Sequence, residues 1–257
     1  MIKIKEELLV TIKVTMMEGH MLIKKMMKMN QFNDKIKYHT LESGLGIGYA
    51  RRIEQLQSLV ERPNQNVIGT KWVFCNKQDE HGVVTRNKAR LVAQGFTQVE
   101  GLDFGETYAL VARLESIQIL ISFAMHHNFK LYQMDVKSAF LNGTIQELVY
   151  VEQPSGFEDP KNPHHVYKLH KALYGLKQAP RAWYECLNDF LLKNGFEIGK
   201  ADSTLFTRKL NNDLFVCQIY VDDILFGSTN KAFCDEFSKI MTKRFEISMM
   251  GELKFFL

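Results

Sequence analysis

The sequence predicts an α+β fold, because stretches with the composition of β-strands alternate with segments that have the periodicity of helices. Short runs rich in β-branched and aromatic residues favour strands, and apolar side chains at helical spacing favour three helices. With 257 residues and a hydrophobic fraction of 46%, the chain can bury a sizeable core in one large domain or two modest ones.

A basic β-hairpin is the first element expected in the globular part of the chain. The sequence of this hairpin comprises a strand at Val67–Phe74, a turn at Asp79–Gly82 and a second strand from Val83 that leads into a basic run. Its cationic side chains are Lys71, Lys77, Arg86, Lys88 and Arg90. The hairpin therefore carries several positive charges close together.

The next predicted helix and strand lead directly into a carboxylate. Apolar side chains at helical spacing predict a helix over roughly 116–127. The run 130–134 has the composition of a short strand, and Asp135 follows it immediately. Two more strands are expected at 148–151 and 166–169, on either side of a loop that contains proline and glycine.

Two further helices are expected in the second half of the chain. The first should begin at Pro180, whose missing N–H group is no loss in the first turn, and should end before Asn194-Gly195. Trp183 and its neighbour Tyr184 fit the apolar stripe of this helix, so we assign both to packing. The last helix is expected over roughly 231–245.

Two adjacent carboxylates, Asp222 and Asp223, interrupt a long apolar run near the end of the chain. Apolar residues flank them at 214–219 and 224–227, which favours two strands joined by a tight turn. A desolvated carboxylate either becomes neutral or binds a cation, so this pattern suggests a metal-binding turn. A hairpin turn with solvated aspartates is the alternative, and the motif by itself does not separate the two.

Asp135 supplies another candidate carboxylate. If its strand lies beside the strands that flank Asp222, the two side chains face each other across a narrow gap. Oxygen ligands in such a cluster favour Mg²⁺ or Mn²⁺ over zinc, and two such ions can hold the attacking and leaving oxygens of a phosphoryl transfer. A strand-end aspartate that caps the following helix is the alternative for Asp135 alone.

The composition argues against several classes of protein. The net charge of +4 permits a nucleic-acid partner without requiring one, and the four scattered cysteines fit neither a zinc site nor a disulfide framework. No apolar run is long enough to span a bilayer, and charged residues near the start interrupt any secretory signal. We therefore expect an intracellular protein, cytoplasmic or nuclear, without a membrane partner, and the sequence defines no oligomeric state.

Five sequence blocks follow one another between residue 54 and the end of the chain. They are Gly69–Phe74, Arg86–Phe96, Gln133–Gly143, Leu173–Tyr184 and Tyr220–Asp223. In this order and at roughly this spacing they resemble the reverse transcriptase domain of copia-type LTR retrotransposon polyproteins. A lone Tyr-Val-Asp-Asp tetrapeptide would be a weak signal, whereas five ordered blocks are a strong one.

The resemblance implies a right-hand polymerase fold with fingers and palm, built on an antiparallel sheet with helices on one face. It also implies an RNA-directed DNA polymerase, in which Asp135 and Asp222 coordinate two Mg²⁺ (or Mn²⁺) ions and Asp223 assists from the turn. The 3′-hydroxyl of a primer, paired with an RNA or DNA template, would attack the α-phosphorus of an incoming dNTP.

Four more residues match substrate-binding positions of the family. Lys88 and Arg90 match the fingers segment that holds the triphosphate, and the alternative for each is a solvated hairpin charge. Phe140 matches the aromatic residue that excludes a 2′-hydroxyl, and its alternative is a core aromatic. Gln178 matches a glutamine that contacts the dNTP and the template, and nearby Arg181 would then meet the template backbone.

The two ends of the chain depart from the family pattern. Residues 1–53 match no part of it and are expected to form a poorly ordered extension, and the domain at 54–257 is expected to be truncated at its C-terminus, with the thumb missing. Weak binding of primer and template would follow, because affinity grows with the number of phosphates neutralised. The alternative function is therefore a catalytically inactive remnant that binds nucleic acid or protein.

Overall fold

The computed structural model of the chain describes residues 57–79 and 81–253, apart from the side chains of Lys77, Arg86 and Asn87. The predicted extension at 1–53 lies outside the described residues. The chain divides into two compact units. The described part of the smaller unit is residues 72–79 and 81–90, and that of the larger unit is residues 57–71 and 91–253.

The described part of the chain contains twelve strands and three α-helices. The strands are β1 (Gln57–Val60), β2 (Val67–Ile68), β3 (Thr70–Gln78), β4 (Val84–Ala93), β5 (Leu131–Val136), β6 (Tyr150–Glu152), β7 (Val166–Leu169), β8 (Glu197–Ile198), β9 (Leu205–Leu210), β10 (Asp213–Tyr220), β11 (Asp223–Ser228) and β12 (Ile247–Glu252). The helices are α1 (Leu114–His126), α2 (Ala179–Lys193) and α3 (Lys231–Arg244), with short 3-10 helices at Gly95–Thr97 and Ala139–Asn142. All three predicted helices are confirmed.

The smaller unit holds most of the predicted basic hairpin, β3 paired with β4. Its turn is organised by Asp79, whose side-chain oxygen accepts hydrogen bonds from the N–H groups of His81 and Val83 (3.0 and 2.9 Å). Gly82 has a positive φ of 79°, a conformation that glycine adopts without steric cost. The expected strand at 67–74 is interrupted at Gly69, which separates β2 from β3.

The larger unit is built on two sheets. A six-stranded sheet has the order β12-β5-β11-β10-β9-β8, and each of its neighbouring pairs is antiparallel. A four-stranded sheet has the order β1-β7-β6-β2, in which β2 is parallel to β6. None of the three described helices is long and apolar enough to cross a membrane.

The six-stranded sheet carries helices on both faces, which corrects the prediction of helices on one face only. The core under α2 and α3 includes Met134, Val136, Trp183, Leu187, Phe215, Ile224, Phe226, Phe237 and Met241. The core under α1 includes Ile117, Leu120, Ala124, Leu131, Val216 and Leu225. Because successive strand residues point to opposite faces, the same strands supply apolar side chains to both layers.

A polar network lies beside the core under α1. Gln218 of β10 is 2% exposed, and its side-chain amide donates to the Thr204 hydroxyl. The N–H and hydroxyl of Thr204 both donate to one carboxylate oxygen of Asp202. Burial acts to raise the pKa of the Asp202 carboxyl, but hydrogen bonds from Thr204, Ser116 and Gln218 outweigh it and hold the pKa below its ordinary value.

We predict that Asp202→Asn lowers the free energy of unfolding at pH 7 by about 1 kcal/mol, because an amide cannot accept all these hydrogen bonds. Since the folded-state pKa is lowered, the carboxylate stabilises the fold fully above the ordinary aspartate pKa of about 3.9, and this contribution is lost as the pH falls through the folded value. Urea unfolding of both proteins across this range measures the difference. A difference that stays constant down to the lowest pH would contradict the prediction.

Candidate active site

The two adjacent carboxylates lie at a hairpin between β10 and β11, as predicted. Tyr220 pairs with Asp223 across the hairpin, so Val221 and Asp222 form a two-residue turn. Val221 has a φ of +58°. This left-handed conformation is rare for a β-branched residue and costs roughly 1–2 kcal/mol, so interactions with neighbouring elements must hold the turn in place.

The predicted neighbouring carboxylate lies on the adjacent strand. Strand β5 pairs with β11 in an antiparallel ladder that sets Asp135 directly opposite Asp223, and the Val136 N–H donates to the Asp222 carbonyl oxygen (2.9 Å). Asp222 lies in the turn one residue beyond the ladder, and the expectation that its carboxylate faces that of Asp135 stays a prediction. Backbone pairing brings all three aspartates to one end of the β5–β11 pair.

The aspartates of the ladder lie on the sheet face that α1 partly covers. Met134 and Val136, on either side of Asp135 in β5, are buried under α2 and α3. Because successive side chains of a strand point to opposite faces, Asp135 points to the other face. On that face α1 packs against Leu131 and Leu225, farther along the same strands. The carboxylate end of the face is left partly accessible, and all three aspartates are half-buried.

Gln133 fixes one of the three carboxylates. It lies two residues before Asp135 on the same face of β5, and its side-chain N–H donates to one carboxylate oxygen of Asp223 (3.1 Å). A neutral amide orients the carboxylate without cancelling its charge. Asp223 therefore has one carboxylate oxygen engaged within the protein.

The donor set fits a magnesium ion that is shared with a substrate. Within residues 57–79 and 81–253, no group of three or more His, Cys, Asp or Glu side chains is arranged to hold a metal ion by itself. Mg²⁺ in proteins is commonly held by one or two carboxylates together with water and substrate phosphates. Asp135 and Asp222 supply oxygen donors of that kind at a partly accessible strand end.

The predicted sugar-facing ring, Phe140, lies in the 3-10 helix that follows β5. Ser138, with a φ of +53°, turns the chain into this helix, and the half-buried Phe140 ring packs on Tyr174 with a centroid separation of 5.1 Å. Tyr174 was missed in the sequence, although it lies in the fourth matching block. The role of Phe140 against the 2′-hydroxyl stays a prediction, since a half-buried ring suits both roles considered for it.

A close crossing of two backbone segments places Tyr174. The Ala93 N–H donates to the Tyr174 carbonyl oxygen (2.7 Å), and the next residue, Gly175, passes directly against this strand end. A Cβ atom on Gly175 would lie 2.1 Å from the Ala93 carbonyl oxygen, and one on Gly95 would lie 2.0 Å from the Gly175 carbonyl oxygen. Only glycine fits at either position.

Gln178 is enclosed in the protein, and its contact with the dNTP and the template stays a prediction. Its side chain is 2% exposed, accepts a hydrogen bond from the Gln98 amide and donates to the Asp103 carbonyl oxygen, both at 2.9 Å. The carbonyl oxygen and the amino group of this amide are therefore each engaged inside the protein. Its neighbour Arg181 is paired with Glu106 and Glu185 (3.3 and 2.7 Å), so its charge is already balanced.

The two predicted triphosphate ligands lie in the smaller unit. Lys88 and Arg90 belong to the continuous strand β4 and are both half-buried. Residues two apart on a strand share a face, so both side chains project from the same side of the hairpin. Their contact with a triphosphate stays a prediction.

Trp183 packs in the core, as expected, but it also contacts the carboxylate turn. The residue is 1% exposed, and its ring meets the Phe245 ring edge-on at 5.3 Å. Its indole N–H donates to the Val221 carbonyl oxygen at 2.6 Å. Helix α2 therefore reaches the turn from the face of the sheet opposite to α1.

Comparison with known proteins identifies the family. A family model described as "Reverse transcriptase (RNA-dependent DNA polymerase)" matches residues 54–257. The chain belongs to the reverse transcriptase family. The Retrovirus-related Pol polyprotein from transposon RE1 of Arabidopsis thaliana is 40% identical over 191 residues, which cover 74% of this chain and 13% of that relative. The corresponding polyprotein from transposon TNT 1-94 of Nicotiana tabacum is 37% identical over 195 residues, 75% of this chain and 15% of the relative.

These relatives confirm the resemblance to reverse transcriptases of copia-type transposons. The chain spans only 13% to 15% of the length of these two curated relatives. A solved structure of apo telomerase from Candida tropicalis, truncated from the C-terminal domain, overlaps with a TM-score of 0.38 at 9% identity, covering 83% of this chain and 55% of that one.

Gly175→Ala is expected to destabilise the protein more than Gly156→Ala does. Both glycines have positive φ (91° and 85°), so alanine costs roughly 1–2 kcal/mol of backbone strain at either position. Only at Gly175 does the new Cβ meet backbone, since nothing lies within 4 Å of it at Gly156. That clash should add about 1–3 kcal/mol, measured by urea unfolding. Equal losses in the two variants would contradict the close crossing.

Proposed function

We propose that this chain forms the fingers and palm of an RNA-directed DNA polymerase, which joins dNTPs to the 3′-hydroxyl of a primer on an RNA or DNA template. The observation that carries the proposal is the β5–β11 ladder, which sets Asp135 opposite Asp223 and next to the turn that holds Asp222. Membership of the family supports the reaction class, and the half-buried carboxylates support its chemistry.

Asp135 and Asp222 would hold two Mg²⁺ or Mn²⁺ ions, with Asp223 assisting from the end of β11. When bound, such ions supply Lewis-acid stabilisation of the charge on the attacking and leaving oxygens. The chain contributes by fixing its ligands before substrate arrives. The Val136 N–H bond to the Asp222 carbonyl ties the turn to the strand that bears Asp135, so little reorganisation is needed at the moment of reaction.

The side chains proposed for the other substrate contacts match the chemistry of the groups that they would bind. Lys88 and Arg90 would bind the triphosphate, because charge-assisted hydrogen bonds to phosphate are short and strong. The ring pair of Phe140 and Tyr174 would border the sugar, where an apolar surface offers a 2′-hydroxyl no partner. Gln178 and Arg181 have no part in this assignment.

Primer extension tests the proposal. On a poly-rA template with an oligo-dT primer, dTTP and Mg²⁺ at low salt, the wild-type chain should extend the primer, and Asp222→Asn should reduce the rate on the order of a hundredfold or more. The matched control is Asp235→Asn, the same change at an exposed aspartate of α3 that pairs with Lys231. It should leave the rate unchanged.

Two outcomes would contradict the proposed function. One is a wild-type chain that neither extends the primer nor gains thermal stability from Mg²⁺ with dTTP, which would favour a non-catalytic remnant. The other is equal extension by wild type and Asp222→Asn, which would place the chemistry elsewhere.

Sugar selection tests the proposed role of Phe140. Phe140→Val opens space beside the sugar, so incorporation of UTP relative to dTTP should rise by about tenfold or more. Phe190→Val is the matched control, because Phe190 is also a half-buried ring at the edge of the core under α2 and α3. An equal change in the UTP to dTTP ratio in both variants would show that Phe140 acts only through packing.

A further inference from the structure

The carboxylate turn has an unfavourable backbone conformation that other parts of the fold must maintain. Val221 holds a left-handed φ of +58° although its side chain is β-branched. Strained residues of this kind persist only where the surrounding structure determines their conformation, and they concentrate at functional sites. The groups that contact the Val221-Asp222 turn are therefore the ones that fix Asp222.

One of these groups is the indole of Trp183. Its N–H is the single hydrogen-bond donor of the side chain and is directed at the Val221 carbonyl oxygen, 2.6 Å away. The ring itself is buried in the core and held edge-on by Phe245. The donor is thus mounted on a rigid part of the protein rather than on a mobile side chain.

A different element holds the next peptide group. The Asp222 carbonyl oxygen accepts from the Val136 N–H of β5 (2.9 Å). Two consecutive carbonyl groups, those of Val221 and Asp222, are therefore each fixed by a donor from a separate element, α2 and β5. With both peptide groups fixed, the Cα–Cβ bond of Asp222 has a defined direction.

We propose that Trp183 is a positioning residue, which holds the turn so that the Asp222 carboxylate is directed to the site of nucleotidyl transfer. The effect on catalysis rests on the proposed function. The role of Trp183 in fixing the turn is independent of that function. The competing view is that Trp183 only fills the core, with its hydrogen bond making no difference to the turn.

The test compares a variant that lacks the indole N–H donor with a variant that lacks another side-chain donor of the same helix. Trp183→Phe keeps an aromatic ring against Phe245 but has no N–H. Tyr184→Phe removes the hydroxyl that donates to the Ser203 carbonyl oxygen (2.8 Å), a side-chain to backbone bond from the same helix to a different segment. Both variants lose one such bond, but Trp183→Phe also removes ring volume from the core, so Trp183→benzothienylalanine, which keeps that volume without the N–H, is measured beside it.

Amide hydrogen exchange at Val136 reports on the turn directly. In Trp183→Phe the Val136 N–H should exchange about tenfold faster, because its acceptor belongs to a turn that now opens more often, whereas Tyr184→Phe should stay within about twofold of wild type. Equal exchange rates in the two variants would overturn the proposal. This readout needs no polymerase activity, so it decides the fixing of the turn even if the proposed function fails.

The effect on catalysis is measured by comparing the change in kcat with the change in the KM for dTTP. In primer extension, Trp183→Phe should lower kcat about tenfold and leave the KM for dTTP within about twofold, because a buried positioning residue makes no contact of its own with the nucleotide. Unchanged kcat in an enzyme whose wild type is active would overturn the positioning role. If Trp183→Phe fails to fold, Trp183→benzothienylalanine, which replaces the N–H by sulfur at nearly constant shape, gives the same two readouts.

Discussion

The antiparallel pairing of β5 with β11 is the constraint on which the rest of the candidate site depends. In its register Asp135 lies opposite Asp223, and Met134 lies opposite Ile224 on the other face. A shift of the register by one residue would turn every side chain of the shifted strand to the opposite face of the sheet. Its carboxylate would then enter the core under α2 and α3. The apolar core and the carboxylate cluster therefore specify the same register.

The core also maintains a turn that would not hold its conformation alone. Packing of α2 against the sheet buries Trp183, and the burial sets its N–H against the Val221 carbonyl. A cost of roughly 1–2 kcal/mol for the left-handed valine is small beside the several kilocalories that buried aromatic side chains contribute. The stability of the sheet and the geometry of the site are thus linked through one helix.

Local features of this fold were predictable from the sequence, and long-range ones were not. Helix periodicity, Pro180 at a helix start and the tight turn at Asp222 depend on neighbours along the chain, and all were confirmed. The burial of Gln178 depends on Gln98, eighty residues away, and the strand partner of Asp135 depends on register. The placement of α1 on the second sheet face likewise depends on which strands are neighbours, which no single segment reveals.

The most direct test is a diffraction measurement on crystals of the chain grown with Mn²⁺ and dTTP. The β5–β11 register predicts anomalous density in contact with the carboxylates of Asp135 and Asp222, with Asp223 opposite Asp135 in the ladder. Manganese bound at other carboxylates, or a ladder in which Asp135 is paired with a different residue, would contradict the proposed centre.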